Sequence, residues 1–129
     1  RDFCLSRGLG DVYKRQLYFF DAARYLRLSH PEVTIEAAIP FSGQADRWRP
    51  ELRARYDYDL RQCDYQTLVQ EAYTPGCMMR RNRYMVDASR ILIAAFDGRP
   101  GGTARTLEYA ALRKLEIIQL PIDRAPVGI

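Results

Sequence analysis

The sequence predicts an α/β protein, doubly wound around a mainly parallel sheet, and three observations carry that expectation. Ile91 to Phe96 is an unbroken apolar run of strand length, the pattern of a parallel strand covered on both faces. Asp97-Gly98-Arg99-Pro100-Gly101-Gly102-Thr103 then turns the chain, and Leu107, Ala110, Ala111 and Leu115 return at helical spacing. Elsewhere, short apolar strands alternate with amphipathic helical stretches, which is how sheets with helical crossovers are written in sequence.

Taken in order, Phe19, Ala22, Ala23 and Leu26 form an inward helical stripe that ends near Ser29-His30-Pro31. Val33, Ile35, Ala37 and Ile39 alternate as a strand that stops at Pro40. A helical region from Gln44 to Cys63 carries Trp48, Leu52, Tyr56 and Leu60 at four-residue intervals, with Pro50 starting a new turn or a kink. Tyr65 to Gln70 reads as a short strand and Glu71 to Gly76 as a loop, after which Met78, Met85 and Val86 anchor a helix. Glu116 to Leu120 is a last strand, closed by Pro121, and residues 122–129 read as a tail. The sequence contains no internal repeat and no low-complexity linker.

At 129 residues the chain is one domain with a single core. No apolar run approaches the roughly 20 residues of a membrane span, and no signal peptide is visible. Cys4, Cys63 and Cys77 are odd in number and lack metal spacing. They fit a reducing cytoplasm, and Cys63 and Cys77 read as buried small hydrophobes. Residues 1–16 have no amphipathic period and resemble translated sequencing-adapter read-through at the ends of metagenomic reading frames. They are expected to be a non-native leader, leaving 17–129 as the domain. The leader holds four basic and two acidic residues, so the remainder carries sixteen and fourteen, a net charge of only +2. That balance argues against electrostatic binding of nucleic acid.

A glycine turn between a strand's carboxyl end and a helix's amino end gathers free N–H groups beside a positive dipole end. Such a turn suits an anion, usually phosphate. Gly101, Gly102 and Thr103 are the candidates; the plain alternative is an ordinary turn with Thr103 as N-cap. Asn82 falls on the apolar face of its helix, where a buried amide needs a partner; a structural hydrogen bond and a ligand contact both stay open. Arg81 and Arg83 flank that face, where charges are usually solvated. Asp97, at the end of the buried strand, would hold a ribose or fix the turn. Trp48 and Tyr56 read as core rather than a stacking platform, and His30 as a surface residue.

Particular residues, in order, resemble the SLOG superfamily, specifically its YpsA-like branch. They begin with Ala38-Ile39-Pro40, Gln44, Trp48, Arg55-Tyr56 and Gly76-Cys77-Met78. Arg81-Asn82-Arg83-Tyr84-Met85-Val86-Asp87 and Leu92-Ile93-Ala94 with Asp97-Gly98 follow, then Gly101-Gly102-Thr103 with Thr106, Tyr109 and Ala110. The resemblance spans residues 17–129. It implies a Rossmann-like fold and a nucleotide or nucleotide-derived ligand at Gly101, Gly102, Thr103, Thr106, Asn82, Arg81 and Asp97. Relatives in the superfamily include the DNA-processing DprA proteins and phosphoribohydrolases that release cytokinin bases. Members open with a strand ending in a Gly-His-Arg turn and a second glycine turn; neither is present here, so the sheet is expected to be incomplete at the N-terminus. The expectation is a sensor or binding domain that does not turn its ligand over. It needs no cofactor and no metal, is not a membrane or nucleic-acid binder, and leaves a homo-oligomer open. The alternative is an N-glycosidic hydrolase of nucleoside monophosphates. That family pattern pairs a helix Arg with a Glu eight residues after the Pro of Pro-Gly-Gly, here Arg81 and Glu108, although Ala104-Arg105 replaces its Gly-Thr. A DprA-like accessory role in DNA processing is a further alternative, disfavoured by the weak charge.

Overall fold

The structure, a computed structural model, describes residues 3–6 and 12–121. Its elements are β1 (Phe3–Ser6), α1 (Val12–Ser29), β2 (Glu36–Ile39), α2 (Pro50–Gln62), β3 (Tyr65–Leu68), α3 (Cys77–Asp87), β4 (Ile91–Phe96), α4 (Gly102–Leu112) and β5 (Glu116–Pro121). All the strand pairs are parallel, as the alternation with helices predicts. The fold is α/β and Rossmann-like, but the pairing falls into two sheets, β1-β4-β5 and β2-β3. Among the described residues no strand ladder joins the two sheets, and the seam between them is bridged by α3, which packs against β1 of one and β2 of the other.

The core follows from β4. Leu92 and Ala94 are fully buried and pack with Val86 of α3 and with Leu107 and Ala110 of α4; Met85, Phe96, Tyr109, Leu115 and Ile117 close around them. The small side chains of Ala94 and Ala110 let helix and strand backbones approach closely.

The seam has its own chemistry. Ile35 and Ile39 turn their carbonyls toward β3, accepting from Tyr65 N and Val69 N. Carbonyls alternate sides along a strand, so Ala38 O points to the opposite edge, toward the seam. It accepts from Arg81 Nη1 of α3 at 3.1 Å. Two residues earlier, Glu36 Oε2 accepts from Tyr84 of α3 at 2.5 Å and from Thr67 of β3 at 3.2 Å. Thus α3 joins the two sheets by side chains, where a continuous sheet would use a backbone ladder.

Several boundaries differ from the sequence reading. β1 lies in the segment set aside as a leader: residues 3–6 pair with Ile91–Ala94, and α1 begins at Val12. The predicted stripe on α1 is not inward-facing, because Ala22 and Leu26 are exposed while Phe19 and Ala23 are half-buried. The helix expected from Gln44 begins only at Pro50; before it, Gln44, Asp46 and Trp48 donate to carbonyls three residues back, a run of turns. A proline at the first helical position needs no N–H partner, which makes Pro50 a natural start. Trp48 and Tyr56 do pack together, edge to face at 5.1 Å. The predicted tail at 122–129 lies outside the described residues.

Polar ties fasten α1 and α2. Arg55 bridges the helices, donating to Asp59 at 3.0 Å on its own helix and to Asp21 of α1. Asp64 Oδ2 accepts from Ile35 N and from Arg27 of α1, each at 2.8 Å. The Ile35 amide first, and then Arg27, hold the Asp64 carboxyl below its ordinary range. A carboxylate whose value is depressed on folding contributes stability that is fully present above its unfolded value, about pH 4. That contribution is lost as pH falls through the depressed folded value. Asp64→Asn is therefore expected to melt earlier than the parent at pH 7. The gap should narrow as the pH of the melt is lowered from about 4 and close once the folded carboxyl is protonated; a gap independent of pH would contradict the charge argument.

Candidate functional site

The carboxyl end of β4, the middle strand of its sheet, leads directly into the loop at residues 97–101. Asp97 fixes the first bend, its Oδ1 accepting from Arg99 N at 3.0 Å. Gly98 has φ +86° and Gly101 φ +149°, conformations that L side chains rarely adopt. The glycines are required by the path of the chain, and no atom stands within 4 Å of where a Cβ would be at either one. The loop is open.

Helix α4 starts at Gly102 with Gly101 as its N-cap, and no side chain caps it. Its first intrahelical bond is Arg105 N to Gly101 O. Thr103 does not cap; it sits one residue inside the helix and is buried. The helix therefore presents its first turn of N–H groups and its positive dipole end at an open, glycine-lined surface. That arrangement favours negative charge by roughly 0.3–2 kcal/mol.

Asn82 and Thr106 take a place the sequence left open. Asn82 is 3% exposed and Thr106 fully buried, behind the loop rather than on it. Asn82 Nδ2 donates to Thr106 Oγ1 at 3.1 Å, and Thr106 Oγ1 donates to Gly102 O at 2.8 Å. Asn82 Oδ1 accepts from Arg81 Nε at 2.9 Å. Arg81, expected to be solvated, is only 3% exposed, with Nη1 on Ala38 O. One chain of hydrogen bonds thus runs from the edge of β2 through α3 to the first residue of α4. Arg83 does stay exposed, its guanidinium 5.5 Å from the Tyr109 ring centroid.

Arg81 and Glu108 are not brought together. Glu108 is exposed, and two residues beyond Thr106 it points about 200° away around α4. The buried stripe of Thr103, Thr106, Leu107 and Ala110 faces α3 and the sheet; Glu108 faces solvent.

A second concavity was not legible in the sequence. Ile39 and Leu68, at the carboxyl ends of β2 and β3, line an open cavity of about 410 Å³ with Tyr56, Leu60, Asp46 and Asp57. Its walls come from three separate segments, so no local motif marks it. Burial raises the pKa of the Tyr56 hydroxyl, which stays protonated. Cys77 is buried; Cys63 is half-buried, and burial pushes its thiol up to about 11, which leaves it unreactive. His30 is exposed, as expected. Among the described residues no cluster of three or more metal-ligating side chains forms, and no helix is long and apolar enough to cross a membrane.

The architecture agrees with a family match covering most of the chain. A model described as the YspA SLOG family, short name YpsA, matches residues 15–124. The chain belongs to this family. An uncharacterized SPbeta prophage-derived protein of Bacillus subtilis, YoqJ, is 30% identical over 97 residues, 66% of this chain and 57% of that protein. A UPF0398 protein of Bacillus velezensis is 26% identical over 109 residues, covering 83% of this chain and 60% of its own. One from Bacillus thuringiensis is 23% identical over 104 residues, covering 79% and 56%. The chain thus spans less than two thirds of the length of these relatives. The matched segment contains β4, the glycine loop and α4 in full.

Proposed function

We propose that this SLOG domain binds a nucleotide or nucleotide derivative as a sensor, with the phosphate against the amides at the start of α4. The observation that carries the reading is the uncapped N-terminus of α4 behind an open loop with two positive-φ glycines. It lies at the carboxyl end of a parallel strand, where ligands of doubly wound sheets bind. Asp97, exposed at the loop's first bend, would hold the ribose. Ligand binding without turnover is favoured because Glu108, the carboxylate the hydrolase pattern requires, faces solvent on the far side of α4 from the buried Arg81 network.

The test is calorimetry of the 129-residue chain with AMP, ADP-ribose and NAD, paired with chromatography for base released from AMP. Saturable binding without base release is the expected result, and Glu108→Gln should leave affinity unchanged. Base release abolished by Glu108→Gln would establish the hydrolase instead. Absence of binding to all three ligands would defeat the sensor reading.

A further inference from the structure

We infer that Thr106 and Asn82 are positioning residues for the glycine loop. They set the height and direction of the α4 N-terminus without touching what binds there. The inference rests on the sensor reading above for its binding consequence, and on geometry alone for its structural one.

Asp97 holds the loop's first bend, but the helix end of the loop lacks the usual means of being held. Its helix has no side-chain N-cap, its glycines have wide conformational freedom, and its residues 97–102 are all exposed. An anion site of backbone amides works only if the amides already point at one spot before the ligand arrives. What fixes them lies underneath. Thr106 Oγ1 is bonded to the Gly102 carbonyl, Asn82 to Thr106, Arg81 to Asn82, and the β2 edge to Arg81. The Asn82–Thr106 and Arg81–Asn82 links are buried and the other two part-buried, which limits the competition from water. A threonine bonding back to the carbonyl four residues earlier tilts the first helical turn, and Asn82 fixes which way that hydroxyl points. The same chain ties the loop to the carboxyl end of β2.

The experiment compares Thr106→Val, which keeps shape and removes the hydroxyl, with Thr106→Ser, which restores it. Leu107→Ala serves as a control that removes buried apolar contacts from the same helix without touching the chain of bonds. Two readouts are taken on the whole protein: affinity for ADP-ribose by calorimetry, and amide hydrogen exchange across residues 98–105. Thr106→Val is expected to weaken ADP-ribose about tenfold or more, the scale of misplacing a binding group by a fraction of an ångström to an ångström. It should also speed exchange in 98–105. Thr106→Ser should restore both, and Leu107→Ala should alter neither beyond its effect on global stability. Unchanged affinity and loop exchange in Thr106→Val would overturn the inference, as would equal loop exchange in Leu107→Ala. If the parent binds none of AMP, ADP-ribose and NAD, the sensor reading fails, and loop exchange alone then decides the positioning role.

Discussion

Gly102→Asp is expected to abolish nucleotide binding while leaving the melting temperature unchanged or slightly raised. The two effects part because the position plays two roles. As the first residue of α4, it is a favourable place for an acidic side chain, which complements the helix dipole and adds a few tenths of a kcal/mol or more. As a wall of the proposed phosphate site, it is the worst place for one. Like charges about 4 Å apart repel by about 4 kcal/mol at the effective dielectric of a protein surface. Affinity for ADP-ribose should therefore fall at least about a hundredfold. Calorimetry and a thermal melt on the same sample make the check. Retained affinity would remove the loop from the site, and a lower melting temperature would show that the variant had damaged the fold instead.

Leu92→Ala should be the most damaging apolar truncation. Leu92 is fully buried in the middle of β4 and packs in a cluster that α3, α4 and the sheet share. Removing three carbons there leaves a cavity that strands paired on both sides cannot collapse to fill. The cost is about 2–5 kcal/mol, a large share of the stability of a chain this size. A loss of about 10 °C or more in melting temperature follows. Leu120→Ala, on the half-exposed edge strand β5, should shift it by only a degree or two. Comparable losses from the two variants would mean that the core is not centred on β4.

The part of the molecule most legible in sequence was the part built from local contacts. The β4 strand, its glycine turn and the start of α4 are contiguous, so apolar run, φ-permissive residues and helical spacing all sit in one window. Asn82 was legible as an anomaly, an amide on an apolar face, but its partner Thr106 is twenty-four residues away and could not be read. Arg81 was misjudged because its acceptor is a backbone carbonyl, Ala38 O, and carbonyls carry no signature in sequence. The α1 stripe failed for another reason: helical period marks a face that can be buried, and whether anything covers it depends on distant elements. The turns at 44–48 mimicked a helix because Trp48 and Tyr56 pack against each other at a spacing that also fits two helical turns. The alternative role of Thr103 as an N-cap fails because the backbone enters the helix two residues sooner, with Gly101 at the cap position.

The joint between β2 and the rest of the sheet has a consequence for how such a domain can diverge. A strand ladder fixes its neighbours in discrete steps: a shift that keeps each side chain on its own face must move two residues, about 6.6 Å. A joint made by Arg81 on Ala38 and Tyr84 on Glu36 has no such quantum. Exchanging either side chain for a shorter or longer one would slide the β2–β3 pair against β4 by fractions of an ångström, with both hydrogen-bonded ladders left whole. The distance between the cavity at Ile39 and Leu68 and the loop at Gly101 is thus graded by two positions on a single helix.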